Sequence, residues 1–343
     1  MRTQLILTVL CRTLVALAIG FAPLLSGCSN KNSENDLSID PATSGTTLTA
    51  PLTVTASGSL TDIINNTSHL SLLKTAITRA GLLENLKTGS LTLFAPTDEA
   101  FKAAGYANKA ALDTLPIADL KRLLQYHLLN TRLSGSTLAT GIPVSVPTAL
   151  ATATVSLFRA ANGQLYANAA RVVQPDIGAN NSVMYAIDRV LSVPSQTTIE
   201  LVRVTPDLSL FRLAVERAGN PVASVLLSPT EQGITVFAPS NAAFRAAGYL
   251  NEDAVRGADI TRLTEILRYH ILNSRAFSPT LRPGDVATVQ GTALTVTIGS
   301  KGITITGKGN SSVAGNLLQT DLISTNGVVH VIDRVLLPTG VSQ

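Results

Sequence analysis

The chain has 343 residues, with 26 basic and 22 acidic side chains and a formal net charge of +4. Charged residues make up 14%, aromatics 4%, and Trp is absent. With no Lys/Arg cluster, this composition argues against nucleic acid as a partner, and it lacks aromatic platforms on which sugars would stack.

The N-terminus reads as a targeting segment. Arg2 and Arg12 precede an uncharged run of about 15 residues that ends in Leu25-Ser26-Gly27-Cys28. A spanning helix needs roughly 20 apolar residues, so a signal peptide over 1–27 is the expectation. The Leu-Ser-Gly-Cys ending resembles a bacterial lipobox. That resemblance implies cleavage before Cys28 and acylation of its sulfur and new amino terminus, with the membrane as the anchor. An ordinary signal peptide that contains a Cys is the alternative. Ser29 rather than Asp follows Cys28, which favours the outer membrane or cell surface. Cys11 leaves with the signal, so the mature body has no disulfide and no thiol nucleophile. Residues 28–56, rich in Ser, Thr, Asn and Gly, read as a disordered tether.

The body repeats itself. "SLTLFAPTDEAFKAAGY" (90–106) returns as "GITVFAPSNAAFRAAGY" (233–249), and "LLQYHLLN" (123–130) as "ILRYHILN" (266–273), both 143 residues on. Upstream, "HLSLLKTAITRAG" (69–81) matches "DLSLFRLAVERAG" (207–219) at an offset of 138; downstream, "VMYAIDRVLSVP" (183–194) matches "VVHVIDRVLLP" (328–338) at 145. A unit of about 140 residues is a domain rather than a solenoid repeat. Two domains are expected, 57–194 and 195–340, joined by only a few residues and therefore touching or held at a restricted angle.

Each copy reads as helices followed by strands. Ile63, Ile64, Leu72, Leu73, Ala76, Ile77 and Ala80 have helical spacing, with Gly81 as the stop. "SLTLFAP" is a strand ended by Pro96. Thr97 caps the next helix, and Ser240 does so in the second copy. Leu120, Leu123, Leu124, His127 and Leu128 form one helical face, as do Leu263, Ile266, Leu267, His270 and Ile271. This puts each His on the apolar stripe and leaves Tyr126 and Tyr269 at its edge. Asn130 and Asn273 end these helices. The second half of each copy has Thr/Val alternation broken by Gly and Asn turns, including "QG" and "SKG" hairpins. The class is α+β, with helices packed on a predominantly antiparallel sheet or wedge.

The "TLFAPTDEAF" and "TVFAPSNAAF" blocks, the Tyr-His pairs and "GVVHVIDRVLLP" together resemble fasciclin-like (FAS1) domains, over about 57–340. The resemblance implies two tandem domains, each a β-wedge or sandwich with a group of helices. It also implies a non-enzymatic extracellular or surface protein that binds protein or polysaccharide partners. The first copy departs from the pattern: Tyr185 stands where the second has the family-typical His330.

There is no Gly-x-Ser-x-Gly elbow, no His-x-x-x-His pair and no Cys after Cys28. No catalytic residue, metal site or cofactor is therefore expected. His127 and His270 read as packed imidazoles with hydrogen-bonded ring nitrogens. His330, Asp188 and Asp333 read as structural, each Asp accepting backbone hydrogen bonds or pairing locally. Tyr126 and Tyr269 are the better placed to touch a partner. The expected function is a surface-anchored adhesion or interaction lipoprotein. The alternative is an envelope carrier or hydrolase with a pocket between helices and sheet. The oligomeric state is left open.

Overall fold

The structure, a computed structural model, describes residues 58–228, 232–300, 302–311 and 313–340. The signal segment, Cys28 and the tether lie outside these residues.

Short polar side chains decide where the helices of the first repeat begin. Ser59 caps α1 (Leu60–Asn66) through a capping box in which the Asp62 carboxylate accepts back from the Ser59 N–H. After a single 3-10 turn comes α2 (Ser71–Ala80), ended by Gly81 in the left-handed region at φ 68°. Strand β1 (Thr92–Pro96) leads into α3 (Asp98–Ala103), where Thr97 Oγ1 accepts from the Ala100 N–H at 3.2 Å. Two further helices, α4 (Lys109–Asp113) and α5 (Ile117–Tyr126), precede the short β2 (Leu128–Leu129). The remaining strands are β3 (Val144–Pro147), β4 (Thr154–Arg159), β5 (Leu165–Ala167), β6 (Ala170–Ala179) and β7 (Ser182–Ile187).

The second repeat has the same order with one addition. It runs α6 (Thr198–Val204), α7 (Ser209–Ala218), the extra α8 (Asn220–Leu227), β8 (Ile234–Pro239), α9 (Asn241–Ala246), α10 (Glu252–Arg256) and α11 (Ile260–Tyr269). Then come β9 (Ile271–Leu272), β10 (Gly284–Ala287), β11 (Ala293–Gly299), β12 (Gly302–Gly307), β13 (Gly315–Ile323) and β14 (Gly327–Ile332).

Each repeat builds one seven-stranded sheet, in the orders β2-β1-β7-β6-β5-β4-β3 and β9-β8-β14-β13-β12-β11-β10. All pairs are antiparallel except β1 with β7 and β8 with β14. The sequence explains that exception. "TLFAP" and "SVMYAI" are buried at every position, as strands covered on both faces must be. Alternate residues of β7 then serve two cores. Met184 and Ala186 join Leu73, Ile77, Phe101 and Leu124 between helices and sheet. Val183, Tyr185 and Ile187 join Val155, Leu157 and Leu165 where the sheet curls over itself. The result is α+β, two tandem wedges that are each a nearly closed sheet packed with helices.

One boundary differs from the sequence reading. The helices end at Tyr126 and Tyr269, not at Asn130 and Asn273. The backbone turns at His127 and His270, and the next two residues pair with β1 and β8 as β2 and β9. The strand partner supplies hydrogen bonds that another half-turn of helix would have supplied, so helical spacing alone could not locate the stop. The repeats also touch: the Arg282 guanidinium lies 4.6 Å from the centre of the Phe158 ring.

Candidate functional site

The Tyr-His pair sits where helix, sheet and exit segment meet. His127 is the last-turn cap of α5, and its own N–H reaches back to the Leu124 carbonyl. Its Nδ1 lies 2.7 Å from the Leu123 carbonyl, and its Nε2 accepts from the Leu191 N–H at 2.9 Å. A carbonyl only accepts and an N–H only donates, so the proton must be on Nδ1 and the ring neutral. His270 repeats this with Ile266 at 2.7 Å and Leu336 at 2.9 Å. Burial holds both rings at a pKa of about 4, with the bond to the preceding carbonyl opposing the shift only in part. Neither imidazole has a ring nitrogen left for a substrate or metal.

The tyrosines require a correction. The sequence placed Tyr126 and Tyr269 at the edge of the apolar stripe and made them the candidates for partner contact. Both are fully buried at 0% exposure. The stripe of α5 faces the helix–sheet core, but its final residue crosses into the second core, inside the curled sheet. A helical wheel sees only the first. The Tyr126 hydroxyl donates to the Thr154 carbonyl at 3.1 Å and accepts from Asn168 Nδ2 at 3.0 Å. The Tyr269 hydroxyl donates to the Ala293 carbonyl at 2.6 Å and accepts from the Lys308 N–H. Each tyrosine therefore ties the helix end to the start of β4 or β11. Each histidine ties the same helix end to the chain leaving the sheet.

His330 lies on β14, stacked on Phe237 at 5.5 Å. Its Nε2–H donates to the Ala276 carbonyl at 2.9 Å, and its Nδ1 accepts from the Asp321 N–H at 3.2 Å. Burial lowers its pKa, against the opposing pull of the Asp321 charge. Tyr185 holds the matching place on β7, stacked on Phe94 at 5.8 Å. Its hydroxyl is 2.9 Å from the Leu133 carbonyl and 2.7 Å from Asp176 Oδ1, and it accepts from the Gly135 N–H at 2.6 Å.

The aspartates after the last strands extend the ladder. Asp188 Oδ1 accepts from the Arg171 N–H at 2.8 Å, and Asp333 Oδ1 from the Asn316 N–H at 2.7 Å. A second pair escaped the sequence reading. Asp98 accepts from the Leu72 N–H at 2.8 Å and the Ser71 hydroxyl at 2.7 Å, and so closes the N-terminus of α2. Asn241 does the same for Leu210 and Ser209 on α7. The signal was in the alignment of the copies: an Asp/Asn exchange keeps an acceptor and discards a charge.

Among the described residues no group of three or more His, Cys, Asp or Glu is placed to hold a metal ion. No helix among them is long and apolar enough to cross a membrane. The first repeat lines two surface cavities, the larger of which also takes in Ser195. One, of about 440 Å³, lies between α5 and the exit segment at Val190–Val193; the other, of about 240 Å³, is walled by leucines.

The signature polar residues of both wedges are engaged in hydrogen bonds within their own repeat. The chain belongs to the Fasciclin domain family, whose sequence model matches residues 68–194 and 206–338. It is 30% identical over 257 residues to periostin of Homo sapiens, covering 74% of this chain and 29% of periostin. It is 29% identical over 251 residues to transforming growth factor-beta-induced protein ig-h3 of Sus scrofa, covering 73% and 35%. The chain thus spans about a third of the length of these curated relatives. Among solved structures it is similar to a FAS1 domain pair from the insect cell adhesion molecule fasciclin I. That likeness has a TM-score of 0.37 at 20% identity, over 78% of this chain and 97% of that one. Membership of this family supports an interaction role rather than turnover.

Proposed function

We propose that the protein is a non-enzymatic interaction lipoprotein of the bacterial envelope, anchored by acyl groups on Cys28 in the outer membrane or at the cell surface. Its tandem domains bind a protein or polysaccharide partner. One observation carries the non-enzymatic part: His127, His270, His330, Asp188 and Asp333 all hydrogen-bond to backbone of their own domain. A general acid or base must have an atom free to meet substrate; every ring nitrogen of the three histidines is taken, and the second carboxylate oxygens of Asp188 and Asp333 meet Arg171 Nε and Asn316 Nδ2. The anchoring part rests on the Leu25-Ser26-Gly27-Cys28 ending.

The mature chain, immobilised and exposed to solubilised envelope and exopolysaccharide fractions, should retain a partner, and retention should need both domains. No retained partner together with turnover of a small substrate would overturn the reading. Mass spectrometry of the mature N-terminus should find an acylated Cys28, and Cys28→Ser should release the protein from the membrane fraction.

A further inference from the structure

The two repeats differ most between their second helix and first strand. Leu91 follows Gly81 by ten residues, whereas the matching Ile234 follows Gly219 by fifteen. The longer stretch forms α8, which packs against α6, α7 and α11 with Val222 and Leu226 wholly buried. The shorter one forms only a 3-10 turn, Glu84–Leu86. Strand register fixes the other equivalences, because Leu93 pairs with Leu128 as Val236 pairs with Ile271. Ile234 and Ile271 are sealed at 1% and 0% exposure, while Leu91 and Leu128 stay half-buried.

What α8 fills in the second repeat is left open in the first as the 240 Å³ cavity. Leu86, Leu93 and Leu124 are buried at its base, and the half-buried Leu82, Leu91 and Leu128 stand nearer its mouth. The polar lining is entirely amide: Asn85, Gln125 and Asn130. None of these three side chains hydrogen-bonds to protein among the described residues, whereas Arg268, the counterpart of Gln125, is tied to the Val289 carbonyl. No charged side chain lines the cavity.

We propose that this cleft is a binding site for a short aliphatic chain with an uncharged hydrogen-bonding head, such as an alcohol or amide. The size follows from known cavities. An apolar space of about 150 Å³ takes up benzene, so 240 Å³ accepts a chain of roughly eight carbons. The head is set by charge complementarity. Primary amides satisfy a hydroxyl or amide in either direction, but a carboxylate entering the cleft would give up hydration for amide N–H donors alone, with no cation to offset its charge. The proposal does not rest on the adhesion reading, since it is argued from the lining of this cleft alone.

The test is a titration of the whole mature chain, with leucine methyls labelled for NMR, against 1-octanol. Saturable shifts are expected at Leu82, Leu91 and Leu128 and not in the second repeat, with Kd on the order of 100 µM. Octanoate at neutral pH should bind at least about ten-fold more weakly. Ala149→Phe, which fills the cleft from its half-buried lining, should weaken octanol binding about ten-fold or more. Gln125→Ala, on the helix surface, should weaken it about three- to ten-fold with folding intact, and so keeps the test decisive if Ala149→Phe does not fold. Absence of saturable shifts up to the solubility limit, shifts of equal size in both repeats, or equal binding of octanol and octanoate would each overturn the proposal.

Discussion

Tyr185 in the first repeat and His330 in the second occupy equivalent strand positions and stack on equivalent phenylalanines, Phe94 and Phe237. They reach the same two places by different chemistry. Both meet the carbonyl of the loop after the short strand, at Leu133 or Ala276. Both meet an Asp held at positive φ in the bulged neighbouring strand, Asp176 at 51° or Asp321 at 65°. The longer phenol contacts the Asp176 carboxylate itself and leaves Gly135 as its backbone donor. The shorter imidazole accepts from the Asp321 N–H instead, and that carboxylate accepts from the Ser278 N–H at 2.7 Å, where Asp176 Oδ1 meets the matching Gly135 N–H only at 3.4 Å. The position therefore demands a buried flat ring with a polar edge. It does not demand an imidazole, and a titrating or nucleophilic role would.

The largest test of this comparison is removal of the histidines the repeats share. His127→Ala and His270→Ala each orphan a buried carbonyl and N–H and leave a cavity. Each should lose about 3–4 kcal/mol of its own domain's stability, read by urea unfolding with hydrogen exchange resolved by domain. Partner binding measured on the folded fraction should change less. Equal stability with abolished binding would reverse the structural assignment of these rings.

Acidification comes next, because the repeats carry unequal numbers of buried imidazoles. The unfolded chain takes up protons near the ordinary histidine value of 6.5, but the folded His127 and His270 do so only near 4. Their contribution is thus complete above about pH 6.5 and is lost as pH falls towards 4. Each costs roughly 2–3 kcal/mol by pH 4.5. The second repeat also holds His330, shifted in the same direction. It should lose more stability than the first between pH 7 and 4.5. Tyr185→His should narrow the gap, and equal loss in the wild-type repeats would count against the buried neutral state of His330.

Tyr185→Phe should cost about 2 kcal/mol, since it removes the one O–H shared by Asp176 and the Leu133 carbonyl and leaves the Gly135 N–H only the 3.4 Å contact to Asp176 Oδ1. Thermal unfolding of the first domain would register it, and a loss below about 0.5 kcal/mol would mean water replaces the hydroxyl. The smallest effect is expected from Asp98→Asn, which copies the second repeat. It should stay within about 0.5 kcal/mol, while Asp98→Ala loses about 1 kcal/mol with the cap.

Much of this architecture was legible before any coordinates. The tandem repeat, the α+β order and the helix starts at Thr97 and Ser240 all follow from local rules, because caps, turns and hydrophobic period are set by residues close in sequence. The same locality explains what was not legible. Whether Tyr126 faces water depends on β4, which begins 28 residues later, and on a second core that no helical wheel contains. The exchange of Tyr185 for His330 read as a departure from pattern until Leu133 and Asp176 were placed around the hydroxyl.

The family, the tandem repeat and the identity of the rings at the helix ends are written in the amino-acid order. Only the tertiary structure decided which side chains are spent on the fold. It buried the tyrosines that looked available, and it left open, in the repeat that lacks α8, a leucine-walled cleft that no local pattern announces. Burial is a property of neighbours brought together across the chain, and five residues more or fewer in one connection decide whether a surface is sealed or exposed.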